Sequence, residues 1–239
     1  MSAASDARKV AIITGASHGI AAGLVAGYRQ AGYAVVGVAR GVPPSDQPDY
    51  LTIQGDISEA ETAQSVVDHA LDRFGRVDTL VNNAGIYIGK PFTDYTLDDY
   101  LAITAVNLAG FFHISQRTIP QMVSRGGGHI VNVSTSLVDR ADSTRPSALP
   151  ALTKGGLVAV TRSLAIEYAS RGLWVNAVSL GVIATPAHDR HSYADLGRLH
   201  PIGRLGEVAD VVQGILYLEQ ATFVTGETLH IDGGQAAGR

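Results

Sequence analysis

The apolar run Val10-Ala11-Ile12-Ile13 passes directly into Thr14-Gly15-Ala16-Ser17-His18-Gly19-Ile20-Ala21, which leads into Leu24, Val25 and Tyr28. A short β-branched run, a glycine turn and a helical pattern in that order predict a strand, a tight turn and a helix. The helix amino terminus then lies at the tip of a strand, where free backbone N–H groups and the positive end of the helix dipole can hold a pyrophosphate. Glycine suits this turn because a Cβ would keep a phosphate from the backbone. A strand-to-helix turn also needs glycine without any ligand, so this stretch constrains the fold more than the function.

The same alternation continues along the chain. Tyr33–Ala39 reads as a second buried strand, parallel to the first because the helix from about Gly19 to Gln30 lies between them. Gly41 to Tyr50 carries three prolines and reads as a loop. Further strands are expected at Leu51–Gln54, Val77–Val81, His129–Val133, Leu173–Val178 and Thr228–Ile231. The helices between them are expected from Ser58, from Leu97 to Met122, from Lys154 to Ser170 and from Gly206 to Glu219. Ser58 with Glu61 three residues on predicts a capping box.

Hydrophobic residues at 46% and charged residues at 17% supply one large core. A net charge of −4 gives no basic footprint for nucleic acid, and the absence of cysteine excludes disulfide and thiolate chemistry. Met1 to Lys9 has no apolar core of signal-peptide length, and no run is long enough to cross a membrane. The expectation is a soluble cytoplasmic protein.

Three motifs carry a family resemblance. The glycine turn has the spacing G-x-x-x-G-x-A, the fourth strand ends in Asn82-Asn83-Ala84-Gly85, and the chain closes on Thr225-Gly226 and Asp232-Gly233-Gly234. Together they resemble the short-chain dehydrogenase/reductase family, over nearly the whole chain, with Ala21 in place of a packing glycine. The resemblance implies a Rossmann-type α/β fold over residues 1–239, a doubly wound seven-stranded parallel sheet with helices on both faces. It also implies a dinucleotide cofactor, a small-molecule substrate, and a homodimer or homotetramer.

Carried onto this sequence, the family's cofactor contacts fall on Gly15, Ser17, His18, Gly19 and Ile20, on Asp56 and Ile57 beside the adenine, and on Asn83, Ala84 and Gly85. Later contacts fall on Lys154, Gly181, Ile183 and Thr185. About twenty residues after the glycine turn, an acid would bind the ribose hydroxyls of NAD and repel a 2′-phosphate. Here Ala39-Arg40 stands at that place, which predicts NADPH over NADH. Arg40 could also be a solvated strand-end residue, and His18, where NADPH-preferring members often carry Arg or Lys, is ambiguous.

The catalytic serine of the family falls on Thr135, flanked by Ser134 and Ser136, and strand alternation puts the flanking pair on the face opposite Thr135. Asn107 resembles the asparagine that helps hold an active-site water, and it could equally mend a helix distortion. The family's Y-x-x-x-K element departs from pattern: Lys154 is present, but the tyrosine position is Pro150. Proline has no hydroxyl and no ionisable group, so it cannot be an acid or base. It fits the first turn of a helix, which Ser147 could cap.

Ketone reduction produces an alkoxide that needs a proton as it forms, whereas an iminium takes its proton from solvent beforehand. The missing phenol therefore points to C=N reduction. Two alternatives remain: a carbonyl reductase with a substitute donor (His188, Asp189, His191, Tyr193, or a water held by Lys154 and Asn107), and a protein that binds nucleotide without turnover. Residues from about 185 to 201 are expected to form a mobile substrate lid. The cluster His188-Asp189-Arg190-His191 is read as a solvated loop and not as a metal site.

Overall fold

The computed structural model describes residues 8–186 and 189–238. One sheet runs through them, built of β1 Val10–Thr14, β2 Ala34–Ala39, β3 Tyr50–Gln54, β4 Thr79–Asn82, β5 Gly128–Thr135, β6 Leu173–Leu180 and β7 Thr228–Ile231. Its order is β3-β2-β1-β4-β5-β6-β7 and every pairing is parallel, as the alternation of elements predicts. Parallel strands must be covered on both faces, which is why β1 is apolar from Val10 to Ile13 and β2 carries no polar side chain. Val10, Ile12 and Val36 pack on one face with Val66 and Ile114, while Ala11, Ile13 and Val35 pack on the other with Leu24 and Ile215.

The helices that supply these contacts are α1 Gly19–Gln30, α2 Ala60–Phe74, α3 Leu97–Thr104, α4 Gly110–Ser124, α5 Ala148–Tyr168, α6 Tyr193–Gly197 and α7 Val208–Gln220. Helices α1 and α7 pack together on one face, and α2 and α4 on the other. The strand order reverses between β1 and β4. A crevice opens at such a switch point, at the carboxyl ends of the strands. No helix among the described residues is long and apolar enough to cross a membrane.

Three local expectations are corrected. Ser58 does not cap α2: its backbone N–H and hydroxyl both donate to Asp56 Oδ1, at 3.0 and 2.7 Å, and α2 begins two residues later without a side-chain cap. The expected helix from Leu97 to Met122 is broken by a π turn at Ala105–Ala109, where one extra residue is wound into the helix. Helix α5 starts at Ala148, so Pro150 lies in its first turn, where a missing N–H breaks no helical bond. Ser147 is the cap by position only: its hydroxyl donates to the Arg145 carbonyl at 2.6 Å.

Candidate active site

Two cavities meet at the carboxyl edge of the sheet. The first, of about 770 Å³, is lined by Gly15, Ser17, His18, Gly19, Ile20, Arg40, Asp56, Ile57, Asn83, Ala84, Gly85 and Thr185. The second, of about 590 Å³, shares Ile20, Asn83, Gly85, Ile86 and Thr185 with it and adds, among others, Thr135, Pro150, Lys154, Gly181 and Ile183. Every cofactor residue expected from the sequence therefore borders one cavity or both. Asn107 borders neither; it is buried beneath them.

The floor of the first cavity is built by side chains that hold backbone in place. Thr14 Oγ1 accepts the N–H groups of Asn83 and Ala84 at 3.0 and 2.9 Å, and Asn83 Nδ2 donates to the Thr14 carbonyl at 3.0 Å. This clamps the ends of β1 and β4 together. Gly15 suits this turn twice over: its φ of +77° strains any side chain, and a Cβ there would crowd Asn83 Nδ2 at 3.0 Å. Helix α1 has neither a side-chain cap nor an acid in its first turn. Its free N–H groups and uncompensated dipole suit a pyrophosphate. At the β2 and β3 side of this cavity the Arg40 guanidinium lies 4.0 Å from the Asp56 carboxylate and is largely exposed. Hydrogen bonds from Ser58 hold the Asp56 carboxyl below its ordinary pKa, with the charge of Arg40 a smaller cause.

In the second cavity, Lys154 Nζ donates to the Val133 carbonyl at 2.8 Å. A Cβ on Gly85 would lie 2.8 Å from the same nitrogen, so the N-N-A-G turn passes close to the ammonium. Burial pushes the Lys154 pKa down to about 8. Asn107 lies in the π turn and bonds away from its own helix. Its Oδ1 accepts the Ile86 N–H at 2.9 Å, while its Nδ2 donates to the Ile86 carbonyl and to Thr153 Oγ1, both at 3.1 Å. It thereby ties the turn after β4 to α5.

The three hydroxyls after β5 differ in what they have left to offer. Ser134 Oγ donates to the Lys154 carbonyl at 3.2 Å, and Ser136 Oγ donates to Gln235 Oε1 at 2.9 Å. Both serines are buried, whereas Thr135 is half-buried. Thr135 Oγ1 accepts the Leu137 N–H at 3.4 Å, which leaves its proton for the cavity.

Of the proposed substitute donors, His188 lies outside the described residues. Asp189, His191 and Tyr193 border neither cavity; the Tyr193 hydroxyl is 3.4 Å from the Thr185 carbonyl. A phenol that sequence reasoning missed, Tyr87, does border the second cavity, and its hydroxyl is 2.8 Å from Ser147 Oγ. Its place three residues after Ala84 was the available signal. Among the described residues no group of three or more His, Asp or Glu side chains could hold a metal ion.

His200, also missed, braces the segment after β6. The Val182 N–H donates to His200 Nε2 at 3.0 Å, so the neutral ring carries its proton on Nδ1, which is buried without a partner. The bridge between Ile183 and Gly206 uses the Ala184 N–H and the Val182 carbonyl, leaving the Ile183 N–H without a backbone partner beside the cavity. Desolvation holds the His200 pKa below its ordinary value, with the charge of Arg145 a lesser downward influence. The folded protein thus favours the neutral ring. This brace is intact at the ordinary histidine pKa of about 6.5 and is lost as pH falls through the lower pKa of the folded ring. Hydrogen exchange at the Val182 amide should lose roughly tenfold in protection once pH falls below that value, after correction for intrinsic rates. The same loss in a His200→Ala variant would show that the ring is not responsible.

A family model described as enoyl-(acyl carrier protein) reductase matches residues 15–236. The 3-oxoacyl-(acyl-carrier-protein) reductase FabG of Thermotoga maritima is 32% identical over 247 residues, covering 95% of this chain and 97% of that protein. Among solved structures, ElxO with NADP bound superposes with a TM-score of 0.90 at 27% identity, covering 97% of this chain and all of that one. The 3-ketoacyl-(acyl-carrier-protein) reductase from Brucella melitensis complexed with NADH gives a TM-score of 0.87 at 31% identity, covering 95% of this chain and 98% of that one.

Proposed function

Because this chain belongs to the short-chain dehydrogenase/reductase family of NAD(P)H-dependent oxidoreductases, we propose that it is an NADPH-dependent reductase of a small C=N bond, with the second cavity as its substrate chamber. The reading rests on one observation: Pro150, at the tyrosine position of the family's pattern, borders that chamber four residues before Lys154. NADPH supplies a hydride. Thr135 Oγ1 has a second lone pair to accept the iminium N–H, Lys154 would hold the nicotinamide ribose, and the Ile183 N–H would meet the carboxamide. An iminium brings its own proton, so orientation and a suitable field suffice.

A second reading, carbonyl reduction with Tyr87 as acid, is favoured by the place of Tyr87 on the chamber wall. The proton of that phenol is already engaged, however. Ser147 Oγ spends its own hydrogen on the Arg145 carbonyl and accepts from Tyr87. NADPH consumption with a cyclic imine and with its ketone analogue separates the two readings. Imine turnover that survives Tyr87→Phe supports the first. Ketone turnover that falls about 10²–10⁴-fold in that variant supports the second.

Arg40 supports the choice of NADPH. Arg40→Ala should weaken NADPH binding about 10–100-fold, the worth of charge-assisted hydrogen bonds, with little change for NADH. Equal losses for both cofactors, measured by fluorescence titration, would count against a role in reading the 2′-phosphate. The segment 185–201 is proposed to close over the chamber. The exposed Leu97, Leu101 and Phe112 of α3 and α4 and Leu152 of α5 support a dimer built on these helices.

A further inference from the structure

On the reading that the second cavity takes the substrate, we propose that Arg145 and Gln235 make it a receptor for an oxyanion, so that the acceptor carries a carboxylate or phosphate group. Arg145 borders the chamber with Thr135, Ser136, Leu137, Pro150 and Gln235. Among the described residues no aspartate or glutamate lines that cavity, and the other cation on its wall, Lys154, already donates to the Val133 carbonyl. Among the described residues the Arg145 guanidinium makes no hydrogen bond and no ion pair. A guanidinium left unpaired beside a largely apolar chamber is matched best by a planar oxyanion, which it can hold through two parallel bonds.

Among the described residues the chamber wall adds donors and no competing carboxylate. Gln235 is buried, and its Oε1 accepts from Ser136 Oγ at 2.9 Å, which leaves the two amide hydrogens as the part of this side chain free to donate. Helix α5 begins three residues after Arg145 with no side-chain cap and no acid in its first turn, so its positive dipole end also faces this side. The loop that carries Arg145 is braced. The Arg145 N–H donates to the Asp142 carbonyl at 3.1 Å, its own carbonyl accepts from Ser147 Oγ, and Pro146 fixes the next φ. The side chain is therefore delivered from a held backbone, which lowers the cost of ordering it on binding.

Titration calorimetry on the NADP-saturated protein tests this without turnover. Cyclopentanecarboxylate and cyclopentyl phosphate should each be compared with cyclopentanecarboxamide. At least one of the anions is expected to bind about 10–100-fold more tightly than the amide, and Arg145→Gln should abolish the difference while Arg145→Lys keeps part of it. Gln235→Leu should weaken the anion and spare the amide. Equal binding of anion and amide, or a preference that survives Arg145→Gln, overturns the proposal. A catalytic arm compares kcat/KM for 1-pyrroline-2-carboxylate with that for 2-methyl-1-pyrroline, and this ratio should fall in Arg145→Gln. Anion preference without turnover of any imine or ketone would remove the proposed reaction and leave the receptor. Turnover of neutral imines with no anion preference would do the reverse.

Discussion

Pro150→Tyr is expected to raise kcat/KM for a cyclic ketone by about 10²–10⁴-fold, the usual contribution of a positioned general acid, and to leave the matching imine within a few-fold. The backbone should tolerate the change. Residue 150 lies in the first turn of α5, where a regained N–H needs no helical partner, and Thr153 Oγ1 bonds the Leu149 and Pro150 carbonyls at 3.0 and 3.3 Å whatever the side chain. The proline ring already borders the chamber, so a phenol on the same Cα enters the same space. Lys154, one helical turn on, would favour the phenolate and so tune the new acid. Pro150→Ala separates loss of the ring from gain of the hydroxyl and should not create ketone activity. The measurement is NADPH consumption on both substrates with cofactor affinity checked in parallel. If Pro150→Tyr binds NADPH normally and its ketone rate is unchanged, the missing phenol is not what selects the substrate.

Elements held by strong local chemistry were readable before any coordinates. Helix α1 from Gly19 to Gln30 and strand β7 from Thr228 to Ile231 have the expected ends, because glycine turns and β-branched runs mark them. Competing local hydrogen bonds and contacts made across long sequence distances were not readable. Ser58 resembles a helix cap in the sequence, but the nearby Asp56 carboxylate takes its hydroxyl. The π turn at Ala105–Ala109 has no proline or glycine within it to mark it, so it is silent until backbone bonds are seen. The lining of the first cavity was legible because glycines mark the close backbone turns there. The substrate chamber was less so. Tyr87, Arg145 and His200 reach it or brace it from three separate loops, and only the folded sheet brings those loops together.

The largest stability effect is expected far from this edge. Glu219, on α7, is buried at the opposite end of the sheet and accepts from four side chains. Tyr33 and Thr79 donate to Oε1, both at 2.9 Å, and Tyr28 and His129 donate to Oε2 at 3.2 and 3.0 Å. The His129 tautomer follows from its other nitrogen. Asn176 Nδ2 lies 3.3 Å from Nε2 and can only donate, so Nε2 accepts and the proton is on Nδ1, facing the carboxylate. Burial and the charge of Glu219 push both tyrosine hydroxyls well above their ordinary pKa, which keeps them as donors. Glu219→Ala leaves four buried groups without their acceptor at once, while Glu219→Gln presents an amide NH2 where two of them donate. Removing one partner from such a buried charged network costs about 3–5 kcal/mol. For a chain of this size that corresponds to a melting temperature lower by roughly 10 °C. Urea unfolding of Glu219→Ala should show this loss, and the folded variant should bind NADPH as the parent does, because the cofactor cavity lies at the other end of the strands. A loss below about 1 kcal/mol would mean that the four donors find other partners, and that α7 is held by its apolar face, Val211, Ile215 and Leu218, alone.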